Sequence, residues 1–128
     1  MTNKFFTKPI AYLEDSDFSS NGNISNSNIP INKPVIVLMF SSKCGHCVAM
    51  TQTYQDFANK YGGDNVFVAC VQSDGSKSSE KKLAARWKND VNSNFRGYPD
   101  VCLFQQGKFV SNDLKERSVQ GLLAFSQS

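Results

Sequence analysis

Residues 34–61 read PVIVLMFSSKCGHCVAMTQTYQDFANKY. Six apolar residues, Val35 to Phe40, run without a break, and four of them are β-branched or aromatic. A run that short and that apolar predicts a strand buried on both faces. Ser41, Ser42 and Lys43 follow, then Cys44-Gly45-His46-Cys47. Beyond Cys47 the apolar residues fall at Met50, Tyr54, Phe57, Ala58 and Tyr61, which is helical spacing. Two cysteines therefore sit where a buried strand passes into the first turn of an amphipathic helix.

That placement predicts thiol chemistry. The first turn of a helix carries unpaired N–H groups and the positive end of the helix dipole, and both favour a thiolate on Cys44. Lys43 and His46 flank it and act in the same sense. The thiolate is the form that attacks a disulfide. Spacing of i, i+3 puts Cys47 on the same helix face, placed to resolve a mixed disulfide. Cys44 is thus the expected attacker and Cys47 the resolver.

The remainder of the chain reads outward from this unit. The 128 residues, 40% hydrophobic and 20% charged, fit one globular domain with one core, 1–128. A net charge of +3 is too small to argue for nucleic acid or an anionic membrane. No stretch is apolar for long enough to span a bilayer. The N-terminal MTNKFFTKPIAYLED has no core of signal-peptide length, which favours an intracellular protein, or a secretory one whose leader has been trimmed. A monomer is expected.

Strands are predicted at 9–13, 35–40, 66–71, 101–104 and 108–110, the last two forming a hairpin around Gln105-Gln106-Gly107. Helices are predicted from Cys47 to the Gly62-Gly63 stop, at 79–89 and at 118–126, with a cap signal at residues 15–18. Residues 19–33, rich in Asn, Ser and Gly, are expected to form an irregular surface connection. The order requires a mixed α/β sheet with a parallel core, an antiparallel C-terminal hairpin and helices on both faces.

Competing readings are blander. A zinc site needs two further ligands at similar spacing, and the chain has no second CxxC. A cysteine hydrolase would place its histidine far from the cysteine in sequence, whereas His46 is the only histidine. Cys70 and Cys102 fall on strands to either side of 35–40. Two strand spacings, about 9–10 Å, exceed disulfide reach, so both are expected as buried free thiols. Lys81, Lys82, Arg86 and Lys88 read as the solvated face of a helix.

The pattern resembles the thioredoxin superfamily, and in particular protein disulfide isomerase domains. Cys44-Gly45-His46-Cys47 carries the isomerase-type inner pair. Tyr54 stands where those domains have an aromatic. Arg96-Gly97-Tyr98-Pro99 resembles the loop whose cis-proline faces the cysteines, and Arg117 resembles an arginine that swings toward the second cysteine. The resemblance spans residues 9–126. It implies a thioredoxin fold and exchange with protein or peptide thiols and disulfides. It also implies an external redox partner that resets the pair, and no cofactor. Cys44 and Cys47 would be catalytic, Lys43, Gly45, His46 and Arg117 would tune them, and Gly97, Tyr98 and Pro99 would bind substrate.

The departures are specific. Leu38 occupies the position of the buried acid that deprotonates the second cysteine. Lys43 replaces the usual Trp. Gln52 replaces the helix-kinking Pro, which predicts a straighter helix. The stretch from Val71 to Pro99 is about ten residues longer than usual, and the first helix is weak or missing. An interaction module that turns over poorly is the alternative reading.

Overall fold

The computed structural model describes residues 5–128. Its centre is a five-stranded sheet in the order β1-β3-β2-β4-β5, made of β1 (Ala11–Tyr12), β2 (Val35–Phe40), β3 (Phe67–Gln72), β4 (Asp100–Gln105) and β5 (Lys108–Ser111). β3 runs parallel to both β1 and β2. β4 is antiparallel to β2 and to β5. The fold is the mixed α/β sheet predicted from the element order.

All six residues of β2 are buried, because both faces of the strand are covered. Ile36, Leu38 and Phe40 point into one layer, under α1 (Gly45–Ala49), α2 (Thr51–Tyr61) and α4 (Val119–Ser126). Val35, Val37 and Met39 point into the other, under α3 (Ser78–Arg86) and a π-helical turn, Trp87–Val91. This is the period-2 alternation of a strand, filled on both sides. Leu38 pairs with Cys70 and Val37 with Cys102. The two thiols thus flank β2, lie in opposite layers and are free. Burial pushes both well above an ordinary thiol pKa, so they behave as small core hydrophobes.

Four expectations need correction. The helix after Cys47 is not straight: it breaks at Met50 (φ −98°, ψ 4°) between α1 and α2. Thr51 Oγ1 donates to the Cys47 carbonyl at 3.2 Å, and back-bonding of this kind bends helices without proline. The helix predicted at 79–89 ends as α3 at Arg86 and continues as the π turn, closed by Asn92 N–H donating to Trp87 O at 2.8 Å. The wider turn brings Trp87 and Val91 both into the core. Residues 19–33 do not simply lie over the surface. Ile24 and Ile29 are buried under β2 and β4, and Ile24 N–H donates to Gly107 O.

Arg86 departs most from a solvated helix face. Its Nε donates to Asp15 Oδ1 at 2.6 Å, and its other nitrogens donate to the carbonyls of Ser19 and Phe18 at 3.1 Å each. It clamps the chain around a short 3₁₀ turn, Asp15–Asp17, where the first helix is otherwise missing. The guanidinium beside Asp15 holds that carboxyl below the usual carboxylate range. Among the described residues no helix is long and apolar enough to cross a membrane.

Candidate active site

Three strand ends meet at one edge of the sheet. The β2–β3 ladder closes at Phe40↔Gln72 and the β2–β4 ladder at Met39↔Asp100. Pro99 therefore lies across from Phe40, and the turn that carries Cys44 rises directly from the same strand end. Register alone brings residues 41–47, 73–74 and 96–99 to one pole of the molecule.

Cys44 is the N-cap of α1, with φ −92° and ψ 117°. It is partly exposed. Its Sγ accepts the Cys47 N–H at 3.2 Å, so one of the helix's orphan amide donors is spent on sulfur. Cys47 lies one turn in and is 2% exposed. Its layer holds Leu38, Met50 and Tyr54, an apolar floor in which position 38 carries no acid. Burial and the hydrogen bond with Cys44 push the Cys47 thiol up to about 12; a hydrogen bond with the Ser41 backbone and, more weakly and at longer range, Arg117 act in the opposite sense. Cys44 and Cys47 are both free thiols, so the pair stands in its dithiol form.

Gly45, Lys43 and His46 are exposed, and neither the His46 nor the Lys43 side chain hydrogen-bonds to a sulfur. Tyr54 is fully buried, with its hydroxyl 2.7 Å from Ala69 O and 3.3 Å from Ile36 O. It ties α2 to the two central strands.

The Tyr98–Pro99 peptide bond is cis, as the resemblance implied. Gly97 has φ +135°, a backbone region essentially reserved for glycine. Tyr98 is 39% exposed and stacks obliquely on Phe95, with ring centroids 5.4 Å apart. Arg96, Gly97, Tyr98 and Pro99 line a cavity of about 280 Å³ together with Asn112, Leu114 and Arg117. Arg117 is exposed. Thus Cys44, Cys47, Gly97, Tyr98, Pro99 and Arg117 gather at one pole. Among the described residues no three His, Cys, Asp or Glu side chains gather as metal ligands.

Two polar networks escaped the sequence. Asp74 accepts the Ser42 N–H at 3.0 Å, the Ser42 hydroxyl and the Gln72 amide at 3.3 Å. Partial burial works against its charge, but these bonds outweigh it and hold the carboxyl below the usual range. Asp74 therefore pins the turn that presents Cys44, from the side opposite Pro99. It does not replace the missing acid, because it bonds ahead of Cys44 and not beneath Cys47. The second network is centred on Asp100, which follows Pro99. Its Oδ2 accepts from Trp87 Nε1 (2.9 Å), Asn92 Nδ2 (2.8 Å) and Cys102 Sγ (3.2 Å), and its Oδ1 from Asn112 Nδ2 (3.0 Å). Four donors hold this buried carboxylate and, with it, the base of the Pro99 loop. The available signal was positional: Asp74 lies two residues beyond the end of β3 and Asp100 opens β4, the two strands that flank β2.

Residues 11–128 match the thioredoxin family. The chain belongs to that family. It is 33% identical over 120 residues to thioredoxin-like protein 453L of Invertebrate iridescent virus 6, an alignment covering 86% of each chain. It is 29% identical over 102 residues to protein disulfide-isomerase 2-3 of Arabidopsis thaliana, covering 80% of this chain but 19% of the isomerase. Among solved structures, human ERp44 superposes with a TM-score of 0.69 at 15% identity, over 94% of this chain and 30% of that one. The fold is thus that of a thioredoxin domain, and the larger relatives contain it as one part of a longer chain.

Proposed function

We propose that the protein is a thiol–disulfide oxidoreductase acting on protein or peptide disulfides through Cys44 and Cys47. The observation that carries this reading is the asymmetry of the pair. Cys44 is accessible at a helix N-cap with an amide donor on its sulfur, while Cys47 is buried one turn behind it. The Cys44 thiolate attacks one sulfur of a substrate disulfide. The substrate S–S bond breaks, a Cys44–substrate disulfide forms, and the first substrate thiolate leaves and takes a proton from water. Cys47 then gives up its proton and attacks the Cys44 sulfur. The intramolecular disulfide forms and the second substrate thiolate departs. Two electrons pass from the dithiol to the substrate, and an external dithiol or disulfide, according to direction, resets the pair.

Gly97, Tyr98 and Pro99 present exposed backbone beside the pair, suited to pairing with an extended substrate peptide. Lys43, Gly45 and His46 border Cys44 on the solvent side, and Arg117 is the cation that favours ionised Cys47. Catalysed reduction of insulin disulfides by dithiothreitol tests the reading: turnover that vanishes in Cys44→Ser is expected, and wild-type protein no faster than dithiothreitol alone would overturn it.

A second reading is a binding module with slow turnover. The apolar floor beneath Cys47 favours it, because position 38 carries no acid to take the proton that release requires. The two readings differ in the lifetime of the Cys44–substrate disulfide.

A further inference from the structure

We propose that the cavity beside Pro99 is a subsite for an acidic side chain, so that the preferred substrates are disulfides with Asp or Glu close to the reacting cysteine. This rests on the oxidoreductase reading and adds a substrate class to it.

At about 280 Å³ the cavity is at or below the small end of cofactor and metabolite sites, roughly 300–1,000 Å³. It fits one side chain of a bound peptide. Its position is that of a peptide neighbour: Tyr98 and Pro99 form its wall and also border the cysteines. Two guanidiniums, Arg96 and Arg117, line it. Both are exposed, and neither makes a hydrogen bond or ion pair within the described residues. That is unusual for this chain, whose third described arginine, Arg86, is fully engaged.

The surrounding acids do not cancel these charges. Asp100 lines the cavity, but its carboxylate is buried and shared among Trp87, Asn92, Cys102 and Asn112. Asp113 feels Arg96, but it is paired with Lys115 at 2.5 Å. The cavity therefore keeps two exposed cations in its lining together with a half-buried apolar residue, Leu114. A carboxylate on a short aliphatic stem matches that arrangement, since guanidinium forks bind carboxylates bidentately.

The test uses the full chain and labelled disulfide peptides in which one residue, within two positions of the cysteine, is Glu, Gln or Lys. In one register the Glu peptide should be reduced with a kcat/KM about 5-fold above its Gln twin, the scale of two partly exposed ion pairs. The Lys twin should fall below Gln. Salt near 1 M, where the Debye length is about 3 Å, should erase the preference. Arg96→Gln should roughly halve it, and Arg96→Glu with Arg117→Glu should reverse it toward Lys, which general damage to the fold would not do. Binding of the same peptides with serine for cysteine, read by fluorescence anisotropy, separates the two levels of the proposal. Tighter binding of Glu than Gln with no turnover of any peptide leaves the subsite standing and removes the oxidoreductase reading. Turnover of the Gln peptides with no Glu preference in any register, in rate or in binding, overturns the subsite alone.

Discussion

Leu38→Glu is the most informative single change. Leu38 is fully buried in the layer that holds Cys47, and the Cys47 thiol is pushed up to about 12 from an ordinary 9.0. A gap of about 3 in pKa corresponds to roughly 4 kcal/mol against forming the thiolate. Burial, the largest cause, persists when Cys44 is bonded to substrate, although the Cys44 contributions do not, so ionised Cys47 stays scarce at pH 7 and release of a Cys44–substrate disulfide should be limited by proton loss. A carboxylate at position 38 supplies a base, and general bases contribute at least about 10²-fold. The assay is single-turnover release of a fluorescent thiol from a preformed mixed disulfide, followed by stopped flow from pH 6 to 10. Wild-type protein should release about tenfold faster per pH unit across that range. Leu38→Glu should raise the rate near pH 7 by about 10²-fold and flatten the profile. The variant buries a carboxyl and should lose several kcal/mol of stability, so its fold is verified by circular dichroism first. Arg117→Ala should slow release no more than about 3-fold, because an exposed charge at longer range contributes little. A wild-type rate independent of pH between 7 and 10 would refute the reasoning without any variant.

Other outcomes follow from separate parts of the structure. Arg86→Ala should cost about 2 kcal/mol, the scale of a charged hydrogen-bond cluster, measured by urea unfolding. Asp15 is held below the usual carboxylate range by Arg86. Its contribution is present above the unfolded pKa of about 3.9 and is lost as pH falls through the lower folded value. Wild-type stability should therefore drop on acidification below about pH 4 more steeply than that of Arg86→Ala, and parallel pH profiles would discount the clamp. Gly97→Ala places a side chain at φ +135° and should cost about 1–3 kcal/mol together with weaker peptide binding; unchanged stability and affinity would mean that the loop relaxes freely. The Cys44–Cys47 couple, with exposed His46 between the cysteines, should equilibrate with glutathione nearer about −180 mV than about −270 mV; a potential at or below the lower value would reject that role for His46.

The sheet and the cysteine pair were legible because they rest on short-range patterns that tertiary context could not override. An unbroken apolar run as short as 35–40 suits a strand buried on both faces better than a helix, and the CxxC follows it after three intervening residues. The Tyr98–Pro99 loop was legible only through resemblance, since nothing local to it requires a place beside Cys44. What stayed hidden depends on contacts between distant residues. The break at Met50 arises from a hydroxyl–carbonyl bond between Thr51 and Cys47, not from a proline. Ile24 and Ile29 are single apolar residues in a polar stretch, too sparse to register as a pattern, yet they complete the second core layer. Arg86 and Asp15 are 71 positions apart, too remote in sequence for any local pattern to link them. Asp74 and Asp100 stand next to strand ends with no local signal of a role, which appears only when the strand register brings them against Ser42 and the Pro99 loop.

The central claim is that Cys44 attacks and Cys47 resolves. It is tested most directly by intact-mass analysis of the full chain after mixing with a disulfide peptide, using Cys47→Ser and Cys44→Ser side by side. Cys47→Ser should accumulate a one-to-one peptide adduct on Cys44 that persists until a reductant is added, and Cys44→Ser should accumulate none at pH 7. An adduct on Cys47 in the second variant, or none on Cys44 in the first, would contradict the account.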